Sequence, residues 1–516
     1  MELSCIRHTA LPNTTKLFAD FTYHPERVQQ FYPYLPVSDE SFRRTAAAID
    51  FPAEKRQALV DALRVKNADN PLLERIAQPG TVAVVTGQQV GLFGGPPFAI
   101  YKALTSIRFA EHLTSMGIPA VPVFWMATED HDLHEVDHTW FFDANHQPVL
   151  LQASGSAVPD QPVGTVPFDQ VPLEELRRVL HGLPYAEEAF DFARDTYQPG
   201  RTMGDAFSSL LDRLLTGLPI LRVDPMLPEF RKLAAPLLRE AVLRAPELTR
   251  DVLARNKELT AAGYHTQVHV EDATSFVFLL DKGRRQALKR RNGDYAALAD
   301  RAEDLSPNAL LRPVVQDSMI PTVAYVGGPA EIAYLAQSEV LYRELLGRQP
   351  IALHRASFTV ITPREHKRLD RYGLELTDFF HGEQPVAEKA AKTLVDPRVA
   401  GRVSDARSAA TQSLSRMFDA VEHFDPSIRK AIEKSRRKIE YQFEKIDRRV
   451  GREAILREKD AAKDVDELYN TVFPRHKLQE RVYSSLAFVA QYGPDFAMRV
   501  YDNILLDCPD HRVLTL

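Results

Sequence analysis

The run Glu129-Asp130-His131-Asp132 sets three carboxylates and an imidazole side by side. Such groups exchange protons near neutral pH, so the run could hold an amine, deprotonate it, or act as general acid and base. It follows directly on VPVFWMAT (Val121 to Thr128), an apolar stretch that reads as a buried strand. Charge at the end of a buried strand is costly unless a ligand, a metal or partner charges compensate it. The cluster continues through His134, Glu135, Asp137 and His138, which spell H-E-x-x-H. A zinc hydrolase needs that motif on a helix, with both imidazoles on one face and a third ligand downstream. Here the motif follows a strand and runs into Trp140-Phe141-Phe142, so no metal is expected. A metal-dependent amidohydrolase built on His134 and His138 is the alternative. His131 and His138 as hydrogen-bonded structural histidines are the lesser alternative.

A second candidate region precedes the first. Gly87, Gln88 and Gln89 end the strand TVAVVT, and Gly91, Gly94 and Gly95 lead through Pro96-Pro97 into a helix carrying Lys102. Glycines admit close backbone approach and a helix start offers free N–H groups, so the turn could cradle an anion with Lys102 adding charge. The spacing matches neither the dinucleotide fingerprint nor the Walker A loop, and a tight turn without a ligand explains the glycines equally well. Gly327-Gly328-Pro329 with Glu331 repeats the design after the apolar run Pro321 to Val326. Two such turns in separate halves of one sheet point to a ligand crevice where strand order reverses.

The elements that must position these residues alternate as in an α/β protein with a doubly wound, Rossmann-like parallel sheet. A mixed leader, with a helix from Glu54 to Val65, precedes the first strand–turn–helix–strand unit, and the two occupy residues 1–150. An inserted region, 151–305, is punctuated by Pro159, Pro162, Pro167 and Pro172, with helices at Leu173 to Leu180 and within Pro228 to Leu259. Within it PILRVDP (Pro219 to Pro225) reads as a further core strand. TQVHV and SFVFLLD, followed by the basic GRRQALKRRNGDY, suggest a small β element. The second half of the core spans 306–381 and ends on IALHRASFTVITP, read as one last strand. Residues 382–470 change character. Ala406, Ala410, Leu414, Met417, Val421 and Phe424 alternate by three and four, and Ile428, Ile432, Ile439, Phe443, Ile446 and Val450 continue after an Asp425-Pro426 turn. This predicts an antiparallel helical hairpin with a coiled-coil seam that docks on a partner or on the body, a pair of plain surface helices being the alternative. Residues 471–516 form a C-terminal segment packing on the core.

Composition narrows the classes. Across 516 residues the formal net charge is -6, which gives no global field for nucleic acid or an anionic membrane. No apolar run approaches the roughly 20 residues of a membrane span, and no secretory leader is evident. Two cysteines, Cys5 and Cys508, cannot supply a disulfide framework and fit a reducing, cytoplasmic setting.

Four blocks carry a resemblance: VTGQQVGLFGGPPFAIYKA, FWMATEDHDLHEVDH, SPNALLRPVVQDSMIPTVAYVGGPAEIAYLAQ and FPRHKLQER. They resemble the bacillithiol-biosynthesis cysteine ligase family, in order, from residue 81 to 481. The resemblance implies a core similar to class I aminoacyl-tRNA synthetases with connecting-peptide insertions, and a coiled-coil domain that makes a homodimer. It implies amide formation between L-cysteine and glucosaminyl-malate, with a nucleotide (ATP/ADP) expected and ATP activating the carboxyl group. The candidate catalytic residues are then Glu129, Asp130, His131 and Asp132. The candidate substrate- or nucleotide-binding residues are Gly87, Gln88, Gln89, Gly91, Gly94, Gly95, Lys102, His138, Gln316, Asp317, Tyr325, Gly327, Gly328 and Glu331. One departure is His134, where the family usually carries an acid, which makes the H-E-x-x-H match accidental. HIGH and KMSKS signatures are absent, so an adenylate route is analogy only. A nucleotide-binding coiled-coil scaffold is the non-enzymatic alternative.

Overall fold

The computed structural model describes residues 5–35, 38–290, 295–422, 428–458 and 460–516. Its centre is a five-stranded, all-parallel sheet. The strands, in chain order, are Val82–Gln88, Ala120–Met126, Leu221–Val223, Thr322–Gly327 and Ile351–His354. In space Val82–Gln88 is central, with the next two strands on one side and the last two on the other. That is the doubly wound order, and it places the switch point between Val82–Gln88 and Thr322–Gly327. The two strands are in register from Ala324 opposite Val84 to Val326 opposite Thr86, so Gly87 and Gly327 leave the sheet side by side. The central strands are buried along nearly their whole length, which is why they read as unbroken apolar runs. Helices cover both faces, among them Phe98–Ser115, which returns the chain from the first strand to the second.

The strand expected in PILRVDP is present as Leu221–Val223, paired with Ala120–Met126. TQVHV is not a strand. The Gln337 side chain takes the place of a β partner there, accepting from Val268 N–H (2.8 Å) and donating to its carbonyl (2.9 Å). SFVFLLD is a strand (Thr274–Asp281) between Arg284–Lys289 and Leu305–Pro307. The tail of the basic segment, residues 291–294, lies outside the described residues. IALHRASFTVITP divides between two sheets. Ile351–His354 closes the main sheet, while Ser357–Ile361 runs parallel to His511–Thr515 in a separate sheet edged by Cys5–Ile6. The break falls at Arg355 and Ala356, whose amides are taken by Gly327 O (3.0 Å) and Thr105 Oγ1 (3.0 Å).

The helical hairpin consists of Pro397–Glu422 and Arg429–Arg457. The Asp425-Pro426 turn and Phe424 lie outside the described residues. Leu414, Val421, Ile439, Phe443 and Val450 are half-buried and Ile432 is buried, as the seam requires. Ala406, Met417 and Ile446 are instead exposed. The inward positions of the register are Val403, Arg407 and Phe418, with Arg407 paired to Asp447 across the hairpin. The hairpin also docks on the body. A Cβ at Gly451 would lie 3.0 Å from Ala391 Cβ on helix Glu383–Leu394, so the close approach needs glycine.

Candidate functional site

A cavity of about 600 Å³ opens at the switch point. Gly87, Gln88 and Gln89 line it from the first strand, Ala127, Glu129 and Asp130 from the second, and Gly328 to Glu331 from the fourth. Location at the carboxyl ends of parallel strands is where such sheets bind ligands.

Lys102 forms its floor. Only 3% of its side chain is exposed, and its ammonium donates to Gly87 O (2.9 Å) and Gln88 Oε1 (3.0 Å) while pairing with Glu331. Burial pulls the Lys102 ammonium below its ordinary range, and Glu331 opposes that. Burial in turn disfavours the Glu331 carboxylate, but Lys102 and the Gly328 N–H (2.8 Å) bring it below its ordinary value. Lys102 is thus matched by Glu331 in a buried pair, which removes it as the free anion hook expected from sequence. Glu331 also accepts from Tyr325 Oη (2.6 Å). Tyr325 thus holds the floor from behind and does not line the cavity.

The glycine turns do not act as amide cradles. Gly94 N–H is satisfied by Tyr197 Oη (3.2 Å), which donates in turn to Gly91 O (3.2 Å), and Gly95 N–H goes to Leu92 O. Gly94 packs against Leu210, Leu214 and Ser485. Gly91, Gly94 and Gly95 are thus a packing turn outside the cavity. At the second turn Gly328 lines the cavity, its amide spent on Glu331, and Gly327 O accepts from Arg355 N–H (3.0 Å). Gln316 and Asp317 are buried away from the cavity. Gln316 accepts from Arg312 (3.1 Å), and Asp317 is held by Gln316 (2.9 Å) and Tyr342.

The acid cluster divides. Glu129 is 4% exposed; one carboxylate oxygen accepts from Ser306 Oγ (2.8 Å) with Arg231 3.6 Å away, and the other is buried with no hydrogen-bond partner. A buried carboxylate oxygen left unmatched is costly and leaves an acceptor for an incoming donor. Asp130 accepts from Gln89 Nε2 (2.8 Å) and lies 3.6 Å from Arg285. His131 stands behind Arg285 (Nδ1 to Nη1, 3.0 Å) and does not line the cavity. Asp132 and His138 are exposed outside it, His138 held by Asp137 (2.9 Å). His134 and Glu135 occupy a single 3-10 turn and His138 starts a strand, so the two imidazoles do not share a helical face. The structural requirement of the amidohydrolase reading is not met.

Sequence reasoning missed the arginines. Arg285, Arg312, Arg355 and Arg481 line the cavity with Lys102, giving five cations against Glu129, Asp130 and Glu331. Arg285 lies over the Phe278 ring (3.9 Å) and is fixed by Ser306 and the Pro307 carbonyl. Arg312 bonds two phenols, Tyr325 (3.2 Å) and Tyr334 (2.8 Å), with no carboxylate partner among the described residues. Arg355 forks onto Glu480 (2.9 and 2.5 Å). Burial resists ionisation of Glu480, yet Arg355 holds its carboxyl down at about 2. Arg481 is exposed and lines the cavity, and among the described residues its guanidinium lies 5.9 Å from the Phe98 ring. Desolvation within the crevice and neighbouring Arg355 lower its pKa, while Glu480 and Glu331 oppose that. A signal existed: Arg312 and Arg481 lie inside the matched blocks LLRPVVQ and FPRHKLQER.

This fold and this cavity define a Rossmann-like α/β protein with an anion-favouring crevice at the sheet's switch point. The family described as bacillithiol biosynthesis BshC matches the chain in two parts: its N-terminal Rossmann-like domain over residues 1–356 and its C-terminal coiled-coil domain over residues 358–516. The chain belongs to that family. A relative from Solibacter usitatus is 52% identical with both chains covered in full. Another from Koribacter versatilis is 36% identical over 99% of each chain, and one from Salinibacter ruber is 29% identical over 96% of each. All three carry the provisional name cysteine ligase BshC.

Proposed function

We propose that this chain joins the carboxyl group of L-cysteine to the amine of glucosaminyl-malate, with ATP as co-substrate, in the crevice at the switch point. The observation that carries the reading is the excess of cations over carboxylates in the cavity wall. The malate half of the acceptor brings two carboxylates and an activated cysteine brings a phosphorylated leaving group, so both reactants suit such a wall. Arg481 and Arg312, which form no ion pair with a carboxylate among the described residues, hold the anionic groups. The glycine turns, whose amides at Gly94, Gly95 and Gly328 are spent within the fold, offer no phosphate cradle, and the arginine wall suits one.

ATP supplies the activation that a free carboxylate lacks. The chain itself must present the amine as free base, since an ammonium has no lone pair to attack with. Glu129, with one buried oxygen unmatched and Ser306 on the other, is the group suited to hold that amine and receive its proton. Asp130 and Gln89 orient the rim beside it. Attack forms the C–N bond, the phosphorylated group leaves, and the amine proton passes to the carboxylate.

The test is mass spectrometry of thiol products after incubating the protein with cysteine, ATP and glucosaminyl-malate. An ATP-dependent cysteinyl adduct of the acceptor supports the reading, and its absence with folded protein overturns it. Glu129→Gln should retain the fold and lose at least about 100-fold in rate, the size expected of a lost general base. The setting is cytoplasmic, where cysteine and ATP are available; among the described residues no helix is long and apolar enough to cross a membrane. We also propose a homodimer through the hairpin, where Met417, Tyr441, Ile446 and Leu456 are exposed. Sedimentation equilibrium should return twice the 58.2 kDa chain mass, and a monomer at micromolar concentration removes the dimer.

A further inference from the structure

The chain has two cysteines, 503 positions apart in sequence, and folding brings their sulfurs to 3.9 Å. Cys5 sits on the edge strand Cys5–Ile6, which pairs antiparallel with His511–Thr515 so that Cys5 faces Arg512. Cys508 lies on the loop just before that strand and lines a separate cavity of about 490 Å³. Both sulfurs are free thiols, Cys5 exposed and Cys508 half-exposed, so a small reagent reaches them from solvent. At 3.9 Å the sulfurs are in contact, and bond formation requires them to close to the roughly 2.05 Å of a disulfide.

We propose that Cys5 and Cys508 form a reversible disulfide by exchange with a low-molecular-weight disulfide, stapling the N-terminal strand to the C-terminal one. One thiolate attacks the small disulfide RSSR, forming a protein mixed disulfide and releasing RS⁻. The second protein thiolate attacks the protein sulfur of that intermediate, forming the Cys5–Cys508 bond and releasing the second RS⁻. Two protein thiols are oxidised and one small disulfide is reduced, the two protons lost by the protein thiols passing through solvent to the two released RS⁻ groups. Burial, and the negative charge that Cys508 acquires, hold the Cys5 thiol above its ordinary range, so exchange quickens as pH rises.

The staple bears on the crevice because the sheet it closes backs the arginine wall. His511, opposite Ile6, bonds Ser357 Oγ (2.7 Å) and Thr359 Oγ1 (2.9 Å). Ser357 Oγ in turn reaches Glu480 (3.0 Å), the anchor of Arg355. Two residues beyond Ile6, His8 lines a further cavity that shares Arg355 and Arg481 with the crevice. Cross-linking chain ends also removes conformational freedom chiefly from the unfolded chain, so it protects the folded state. None of this depends on which substrates the crevice takes.

The experiment treats the native full-length protein with excess oxidised glutathione at pH 8 and reads intact mass and free-thiol count. The expected result is a fall from two titratable thiols to none with loss of two hydrogens, no retained glutathione, and full reversal by dithiothreitol. Cys5→Ser should stop at a single glutathione adduct on Cys508, and oxidation should raise the unfolding midpoint of the wild type but not of Cys5→Ser. Two stable glutathione adducts, two untouched thiols, or a disulfide between chains would each overturn the proposal.

Discussion

The two glycine-proline turns look alike in sequence and do different work. Gly94-Gly95-Pro96 and Gly327-Gly328-Pro329 both follow a parallel strand and both open a helix. The first is a packing device. Gly94 adopts φ +84°, against Leu210 and Leu214, and the amides of Gly94 and Gly95 are spent within the fold. The second faces the cavity with ordinary backbone geometry, and its helix supplies Glu331 to neutralise Lys102. A glycine cluster at a strand end is thus two different things, separable by what consumes its N–H groups and what fills the space beside it.

The comparison breaks most visibly at Glu331. Glu331→Ala leaves Lys102 buried without its counter-charge, and should cost about 3–5 kcal/mol in urea denaturation. No residue at the first turn carries a comparable charge, so a loss below about 1 kcal/mol would contradict the ion-pair account.

Next in size is the response to pH of the network behind the second turn. Burial keeps His511 at about 4, below its ordinary 6.5, so the unfolded chain binds its proton first. Stability present at pH 7 should drain as pH falls from 6.5 to 4, by on the order of 3 kcal/mol for this group. Glu480, held at about 2 rather than 4.5, adds a further loss below pH 4.5. His511→Gln should flatten the upper part of that curve in thermal melts.

Gly94→Ala should then cost about 1–3 kcal/mol from backbone strain, with substrate affinity unchanged in the folded fraction. Gly328→Ala reverses the pattern. Its φ is -85° and a new Cβ meets Glu331 and Arg355 at ordinary contact distances of 3.6 and 3.8 Å, so stability should move by less than about 0.5 kcal/mol. The methyl group enters the crevice, and calorimetry with glucosaminyl-malate should show weaker binding. Arg481→Gln should likewise leave stability nearly unchanged and weaken that binding about tenfold, the worth of one charge-assisted hydrogen bond.

Much of this was legible in the sequence, for physical reasons. Strands buried on both faces cannot hide their apolar runs, so Val82–Gln88, Ala120–Met126 and Thr322–Gly327 stood out, and Glu129 and Asp130 followed as charge at a strand end. What stayed hidden depends on partners distant in sequence. Nothing near Lys102 announces Glu331, nothing near Arg355 announces Glu480, and Gln337 replaces a strand partner for Val268 from 69 residues away. His131 and Asp132 looked equivalent to their neighbours because the chain turns after Asp130, which aims one pair inward and the other out. The seam of the hairpin was readable in outline and shifted in register, since a polar pair, Arg407–Asp447, occupies inward positions.

Hydrogen–deuterium exchange with and without glucosaminyl-malate addresses the central claim, that the reactants sit where the strand order reverses and not at the packed first turn. Protection is expected in peptides covering Ala127–Asp130, Gly328–Glu331 and Gln479–Arg481, with the peptide from Gly91 to Pro97 unchanged. Protection confined to Gly91–Pro97, with the other three peptides unaffected, would contradict it.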